Sequence, residues 1–239
     1  MSPSIHPALS AREDESRALT DVVRRLIALC VSNDAPPDVL AEVTTALAAT
    51  ADRLEVHVPE VPVTRLLPSN EREKVADDLT SDDSTLERAM PYDMVIGSCN
   101  PVAPPVRLVF EPPKAIGVVT FGAPYEGAPG CVHGAALAAT FDIVLTAANV
   151  VADATGPTVR LNLRYRRPTL LGVEARFEGW VTTRDARRVH SHGRLVQQGE
   201  VTLEAEGEFA VFDHARVEKM AASRSGPVGT EAQSHQPTN

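Results

Sequence analysis

The sequence predicts an α+β domain, one long helix lying on a curved antiparallel sheet, preceded by a helical extension. Three observations carry this. Residues 134–152, GAALAATFDIVLTAANVVA, are apolar or small at nearly every position, which marks a helix buried on most sides. Two short β-rich runs precede this segment and four runs of strand character follow it. Consecutive strands with short turns form an antiparallel sheet, and the apolar face of such a sheet needs a cover that the helix supplies.

The elements follow in order. Leu19, Val22, Val23, Leu26, Ile27 and Cys30 recur at helical spacing, so residues 10–31 read as an amphipathic helix. Residues 33–37 break it, and Pro36-Pro37 opens a second helix to about residue 52 with Leu40, Val43 and Leu47 inward. The two segments read as a hairpin packed on the main domain. Residues 56–92 hold Pro59, Pro62 and Pro68 and then the acidic stretch EREKVADDLTSDDSTLER, which reads as linker and short helix. Strands are expected over 106–110 and 115–121, split by Pro112-Pro113, then a Gly- and Pro-rich loop over 125–130. The long helix is expected from 134 to about 153. Val159, Leu161, Leu163 and Tyr165 then alternate with Arg160, Asn162, Arg164 and Arg166, the period of a strand. Strands over 172–183, 189–198 and 201–212 continue the sheet. The expected organisation is therefore an extension and linker at 1–92, the α+β domain at 93–216, and a polar, disordered tail at 217–239.

Composition narrows the function classes. The 239 residues carry 23 basic and 32 acidic side chains, for a net charge of −9. Residues 156–198 reverse that sign, with nine Arg against Glu174, Glu178 and Asp185. An acidic protein with one Arg-rich segment is a poor nucleic-acid binder. It suits a local anionic ligand such as a phosphate, although Arg on strands also commonly serves as a solvated face. No uninterrupted apolar run of about 18 residues is evident, so no membrane span is expected, and no signal peptide is visible. Cys30, Cys99 and Cys131 have no metal-ligand spacing and leave an odd thiol, which suggests a reducing cytoplasm.

The long helix carries the candidate chemistry. Asp142, its one carboxylate, shares a face with Ala135, Ala138, Thr146 and Asn149. That stripe is either a solvated face showing Asp142 and Asn149 to water or a seam for close approach of another body. At the helix start, His133-Gly134-Ala135 offers backbone N–H groups at the positive end of the dipole, and glycine admits a ligand close to the backbone. Such donors stabilise a developing oxyanion, by roughly 3–4 kcal/mol each. Gly134 and Asp142 are eight residues apart, about 12 Å along one helix. If both act on one carbon, one of them comes from a second subunit across a two-fold axis.

Glu126-Gly127-Ala128-Pro129-Gly130-Cys131-Val132-His133-Gly134, with Asp142 nine residues after His133, resembles the hotdog-fold acyl-CoA thioesterases, closest to the phenylacetate-pathway-like and THEM4-like subgroup. Residues 100–107 (NPVAPPVR) and 162–168 (NLRYRRP) match as well. The resemblance covers about half the chain. It implies a hotdog fold, a sheet wrapped around a central helix, paired into a homodimer or homotetramer. It implies hydrolysis of a fatty acyl-CoA with no metal or redox cofactor. It places Asp142 as general base or nucleophile, Gly134 or Ala135 N–H on the thioester carbonyl, and His133 as a residue positioning substrate or loop. It makes Thr158 an orienter of water or carboxylate, and Arg164, Arg166, Arg187 and Arg188 ligands of the coenzyme A phosphates. Members commonly carry a second glycine where this chain has Ala135. An acyl-CoA-binding or regulatory module without catalysis is the alternative on the same fold, and a hydratase or dehydratase is a further one. A Cys131/His133 dyad has no third orienting group. His190 and His192 alternate on a strand without further metal ligands nearby.

Overall fold

The computed structural model describes residues 6, 9, 11–60, 85–104, 106–154 and 156–211. The expected tail at 217–239 and most of the expected linker, 61–84, lie outside the described residues.

Helix α1 spans Glu13–Ser32 and helix α2 spans Pro37–Glu55. Glu13, Asp14 and Glu15 lie in the first turn of α1, where carboxylates complement the helix dipole. A proline opens α2, where a missing N–H costs nothing. The hairpin is present, but only α1 docks on the domain. Arg24 Nε donates to the Ala103 carbonyl at 3.2 Å and Nη2 to the Asn100 carbonyl at 3.2 Å, and Thr20 is buried. Helix α2 buries none of its residues. It folds back so that Leu54 and Val56 border a shallow cleft beside Leu19, while α1 occupies the domain surface. Leu40, Val43 and Leu47, expected inward, are therefore 45%, 43% and 38% exposed. A short helix α3, Thr85–Ala89, leads into the sheet domain, where Glu87 accepts the Leu108 N–H.

The sheet strands are β1 (Arg107–Glu111), β2 (Lys114–Thr120), β3 (Thr158–Tyr165), β4 (Glu174–Arg184), β5 (Arg188–Gln197) and β6 (Glu200–Ala210). Helix α4, Gly134–Val151, falls between β2 and β3. All pairings are antiparallel, in the spatial order β1-β2-β4-β5-β6-β3. This corrects the expectation that the four strands after the helix pair in sequence. The place beside β2 is taken by β4, and β3 goes to the far edge, where Thr158 faces Phe209 and Tyr165 faces Leu203.

Helix α4 lies across β2, β4 and β5. Phe141, fully buried, meets Phe177 edge-to-face at 4.9 Å between ring centroids. Val144 and Leu145 press onto glycines of four strands. A Cβ at Gly117 would come within 2.8 Å of Val144, at Gly179 within 3.0 Å of the Val144 carbonyl, at Gly193 within 2.8 Å of Phe141, and at Gly207 within 2.9 Å of Leu145. Their absent side chains let helix and sheet approach closely. By length and mean hydropathy, α4 is apolar enough to cross a bilayer, contrary to the expectation that no such run exists. Half of it is buried in the protein, and the apolar character belongs to a core helix.

The opposite sheet face holds a charge cluster. Glu178 accepts from Lys114 at 2.9 Å and Arg194 at 3.0 Å, and pairs with Arg176 at 3.4 Å. Burial pushes its carboxyl pKa upward, but the bonds from Lys114 and Arg194 outweigh that and hold it below the usual range.

Candidate active site

The loop before α4 is fixed by its own backbone. Gly127 N–H donates to Cys131 O at 2.9 Å, Cys131 N–H to Ala128 O at 2.8 Å, and His133 N–H to Tyr125 O at 2.7 Å. Gly130 has φ +73°, the left-handed region that favours glycine, and its N–H donates to Glu126 Oε1 at 2.7 Å. A Cβ on Gly127 would lie 2.8 Å from the His133 Cα, so the two ends of the loop touch.

His133 is the N-cap of α4. Its Nδ1 accepts the Ala135 N–H at 3.0 Å, which puts the proton of a neutral ring on Nε2. From β3, the Tyr165 hydroxyl donates to the Gly134 carbonyl at 3.1 Å. The Gly134–Ala135 peptide is thus held on both sides, its C=O by Tyr165 and its N–H by His133. The Gly134 N–H is left without a partner among the described residues. It lies at an open cleft of about 540 Å³ whose lining includes Cys131, His133, Leu137, Tyr165 and Arg166. Of the two amides expected to polarise a carbonyl, Ala135's is engaged and Gly134's is open.

Asp142 lies two turns further along α4, half-buried. Its Oδ1 accepts the Thr158 hydroxyl at 2.6 Å, so these two predicted site residues meet. Thr146 bonds only the Asp142 backbone carbonyl, at 2.8 Å. Asn149 does not face water: it is 1% exposed and its Oδ1 accepts from Ser191 on β5. Asp142 does not line the cleft at Gly134, in keeping with the helical rise that separates them.

The four predicted phosphate ligands are not gathered into one patch of a single chain. Arg164 lies opposite Glu204, near the middle of β6, and Arg188 opposite Ala210, six residues further on at its end. Arg166 is held by Glu204, Nε at 2.8 Å and Nη2 at 2.5 Å. Arg188 Nε donates to Glu208 at 2.9 Å. Arg164 and Arg187 have no side-chain partner among the described residues. Cys131 borders the cleft with a free thiol. His190 and His192 face Glu208 and Glu206 across β5–β6, and no group of three or more His, Cys, Asp or Glu that could hold a metal is present among the described residues. Sequence reasoning passed over Tyr165 and Tyr125. The NLRY alternation placed Tyr165 on a strand, but only the return of β3 beside α4 puts its hydroxyl on Gly134.

One antiparallel sheet clasping a helix whose first turn opens into a cleft is the architecture of a hotdog domain. Residues 129–204 match the family model described as Thioesterase superfamily. Among solved structures, one described as a thioesterase superfamily protein is 29% identical over 87% of this chain and 97% of its own, with a TM-score of 0.67. That overlap reaches beyond the sheet domain into the N-terminal helices. Thioesterase superfamily member 2 from Mus musculus is 20% identical over 45% of this chain and 82% of its own, TM-score 0.42. The PaaI protein of the E. coli phenylacetic acid degradation operon is 14% identical over 45% and 80%, TM-score 0.43. No curated protein matches the chain.

Proposed function

We propose that the protein is an acyl-CoA thioesterase that releases a free fatty acid and coenzyme A. The observation that carries the reading is the pair of polar groups on α4: an open N–H at Gly134, facing a cleft, and a half-buried carboxylate at Asp142 held by Thr158. An unengaged N–H at the positive end of a helix is a ready donor to a thioester oxygen as it gains charge. A carboxylate brought to the same cleft by a second copy of the chain takes the proton of the attacking water. In this mechanism water adds to the carbonyl carbon and Asp142 receives its proton. The tetrahedral oxyanion rests on the Gly134 N–H. Collapse breaks the C–S bond, and the departing thiolate takes the proton back from Asp142. Direct attack by Asp142, with a mixed anhydride then hydrolysed by water, is the other route open to the same residue.

The two groups are about 12 Å apart on one helix, so the reading calls for two copies of the chain. Strand β3 is an exposed edge on which Val159 and Tyr165 are 51% and 54% exposed, an arrangement open to strand pairing. Antiparallel pairing of two β3 edges sets the Thr158 end of one copy beside the partner's Tyr165. The Asp142–Thr158 pair then serves the cleft at the partner's Gly134. The same pairing draws Arg187 and Arg188 of one copy toward the partner's Arg164 and Arg166, where coenzyme A phosphates would bind. A homodimer is the minimum unit, and a homotetramer is compatible with it.

The test is release of coenzyme A thiol from a panel of acyl-CoAs, with Asp142→Asn alongside. Turnover by the wild type and its loss in the variant is the expected result. Saturable acyl-CoA binding with no turnover at any chain length would replace the reading with a binding module. Equal turnover by wild type and variant would remove Asp142 from the chemistry.

A further inference from the structure

We infer that helix α1 is a brace for the start of α4, and that Tyr125 is the positioning residue through which it acts. The inference deepens the thioesterase reading and rests on it for its kinetic readout. A continuous set of hydrogen bonds carries it. The Arg24 guanidinium grips the carbonyls of Asn100 and Ala103, each at 3.2 Å. Asp21, one turn earlier on α1, accepts from the same guanidinium at 3.0 Å. The gripped segment is stiffened from within. Asn100 Oδ1 accepts the Val102 N–H at 3.1 Å, Asn100 O accepts the Ala103 N–H at 3.1 Å, and Ala103 is fully buried. Between the two gripped carbonyls, Val102 O accepts the Tyr125 hydroxyl at 2.9 Å. Tyr125 in turn accepts the His133 N–H on its own carbonyl at 2.7 Å. Its ring is held edge-to-face against the buried Phe121 at 5.6 Å.

Tyr125 is thus a bridge of one residue, with its side chain on the α1-gripped loop and its backbone on the N-cap of α4. Tyr125 does not line the cleft, so it acts through His133 and not on substrate. The consequence is geometric. The Gly134 N–H must lie within a few tenths of an ångström of its working position, and a displacement of about 1 Å at a reacting group is worth on the order of a hundredfold in rate. The other backbone bonds of loop 122–133 are internal to the loop or run to residues 169 and 171 and to the first turn of α4, and α1 itself packs on Ala123–Tyr125, so the N-terminal support of the loop comes from α1 and the segment it grips. This gives the N-terminal extension a role at the active site.

The experiment is a double-mutant cycle between Arg24→Ala and Tyr125→Phe in the full chain, with kcat and KM for the best acyl-CoA and amide hydrogen exchange at residues 133–137. Tyr125→Phe removes one neutral, exposed bond and should lower kcat about fivefold with KM and Tm little changed; Arg24→Ala removes two part-buried bonds from a charged donor and should lower kcat at least as much, with KM little changed. Amides at the helix start should exchange faster in both. The double variant should be no slower than the slower single, because both changes cut the same path, and Arg24→Lys should recover part of the loss. Multiplying effects, or singles with wild-type kcat and wild-type exchange, would overturn the brace. If the wild type hydrolyses no acyl-CoA, the thioesterase reading has failed, and exchange at 133–137 decides the brace alone: faster in both variants supports it, unchanged exchange overturns it.

Discussion

Gly134→Ala separates the stability of α4 from the chemistry at its start. Gly134 has no left-handed φ, so alanine is conformationally allowed, and in a helix it is favoured over glycine by up to about 1 kcal/mol. The obstacle is Tyr165. A Cβ at position 134 would lie 2.9 Å from the Tyr165 hydroxyl oxygen, 3.4 Å from its Cζ and 3.6 Å from its Cε1. Only the first of these is intolerable. Tyr165 must swing out, losing its bond to the Gly134 carbonyl, or the first turn of α4 must shift. Losing the bond forfeits about 1 kcal/mol, which offsets the helical gain and leaves Tm within a few degrees of wild type. Activity is more sensitive, because the Gly134 N–H shifts with the turn, and kcat should fall by about ten- to a hundredfold. Tyr165→Phe removes the one clashing atom. Placed on the Gly134→Ala background, it should restore part of kcat, although on the wild-type background it lowers kcat by about fivefold through loss of the same hydroxyl. A change of sign between backgrounds is what steric conflict at one atom demands. Measured by thiol release and thermal melts on the four proteins, wild-type kcat in Gly134→Ala, or a further loss in the double variant, would refute this account of the helix start.

Asp142→Asn should lower kcat by about 10²–10⁴-fold and Thr158→Val by about fivefold, through loss of one hydrogen bond, both with Tm near wild type because Asp142 is half-buried and Thr158 exposed; steady-state kinetics with a melt checks both. Phe141→Ala opens a cavity between α4 and Phe177 and should destabilise by about 3–5 kcal/mol in urea titration. Glu178 has a carboxyl pKa held below its unfolded value, so its contribution is present above the unfolded pKa of about 4.3 and is lost as pH falls through the folded one. Glu178→Gln should therefore lower Tm at neutral pH and flatten its decline below about pH 4 in melts across pH. Arg164, without a side-chain partner among the described residues, should matter to coenzyme A more than Arg188, which Glu208 holds: Arg164→Ala should raise KM for acyl-CoA, while leaving KM for a short thioester without the nucleotide unchanged.

The elements themselves were legible. The long helix was marked by a segment apolar or small at nearly every position, and its observed ends at 134 and 151 lie within two residues of expectation. The strands announced themselves by alternation, and Asp142 by being the one charge in an oily segment. Strand order was not legible, because a period of two records which face is buried and says nothing about which strand lies alongside. Helix α2 misled for a related reason. Leu40, Val43 and Leu47 make the same stripe whether the domain covers it or not, and the covering was decided by Arg24 on the other helix. The Arg-rich segment looked like a free positive surface because the carboxylates that answer it come later in the chain, Glu204 for Arg166 and Glu208 for Arg188. Cross-strand pairing appears only once register is known.

The division of the two amides at the helix start belongs to the same class of hidden fact, and it bears on Ala135. With the Ala135 N–H spent on His133 Nδ1, the substitution of alanine for a second glycine falls on an amide that is not the open donor. Its methyl group sits on the residue that contributes the N–H of the peptide that Tyr165 and His133 clamp, one residue past the open donor. The His133 ring, meanwhile, is tied down by capping, with Nδ1 committed and Nε2 left to donate. On the thioesterase reading this makes His133 a residue that shapes the donor and does not take the substrate proton. That role returns to Asp142, whose Oδ1 is oriented by Thr158 and whose second oxygen is the one left to receive it.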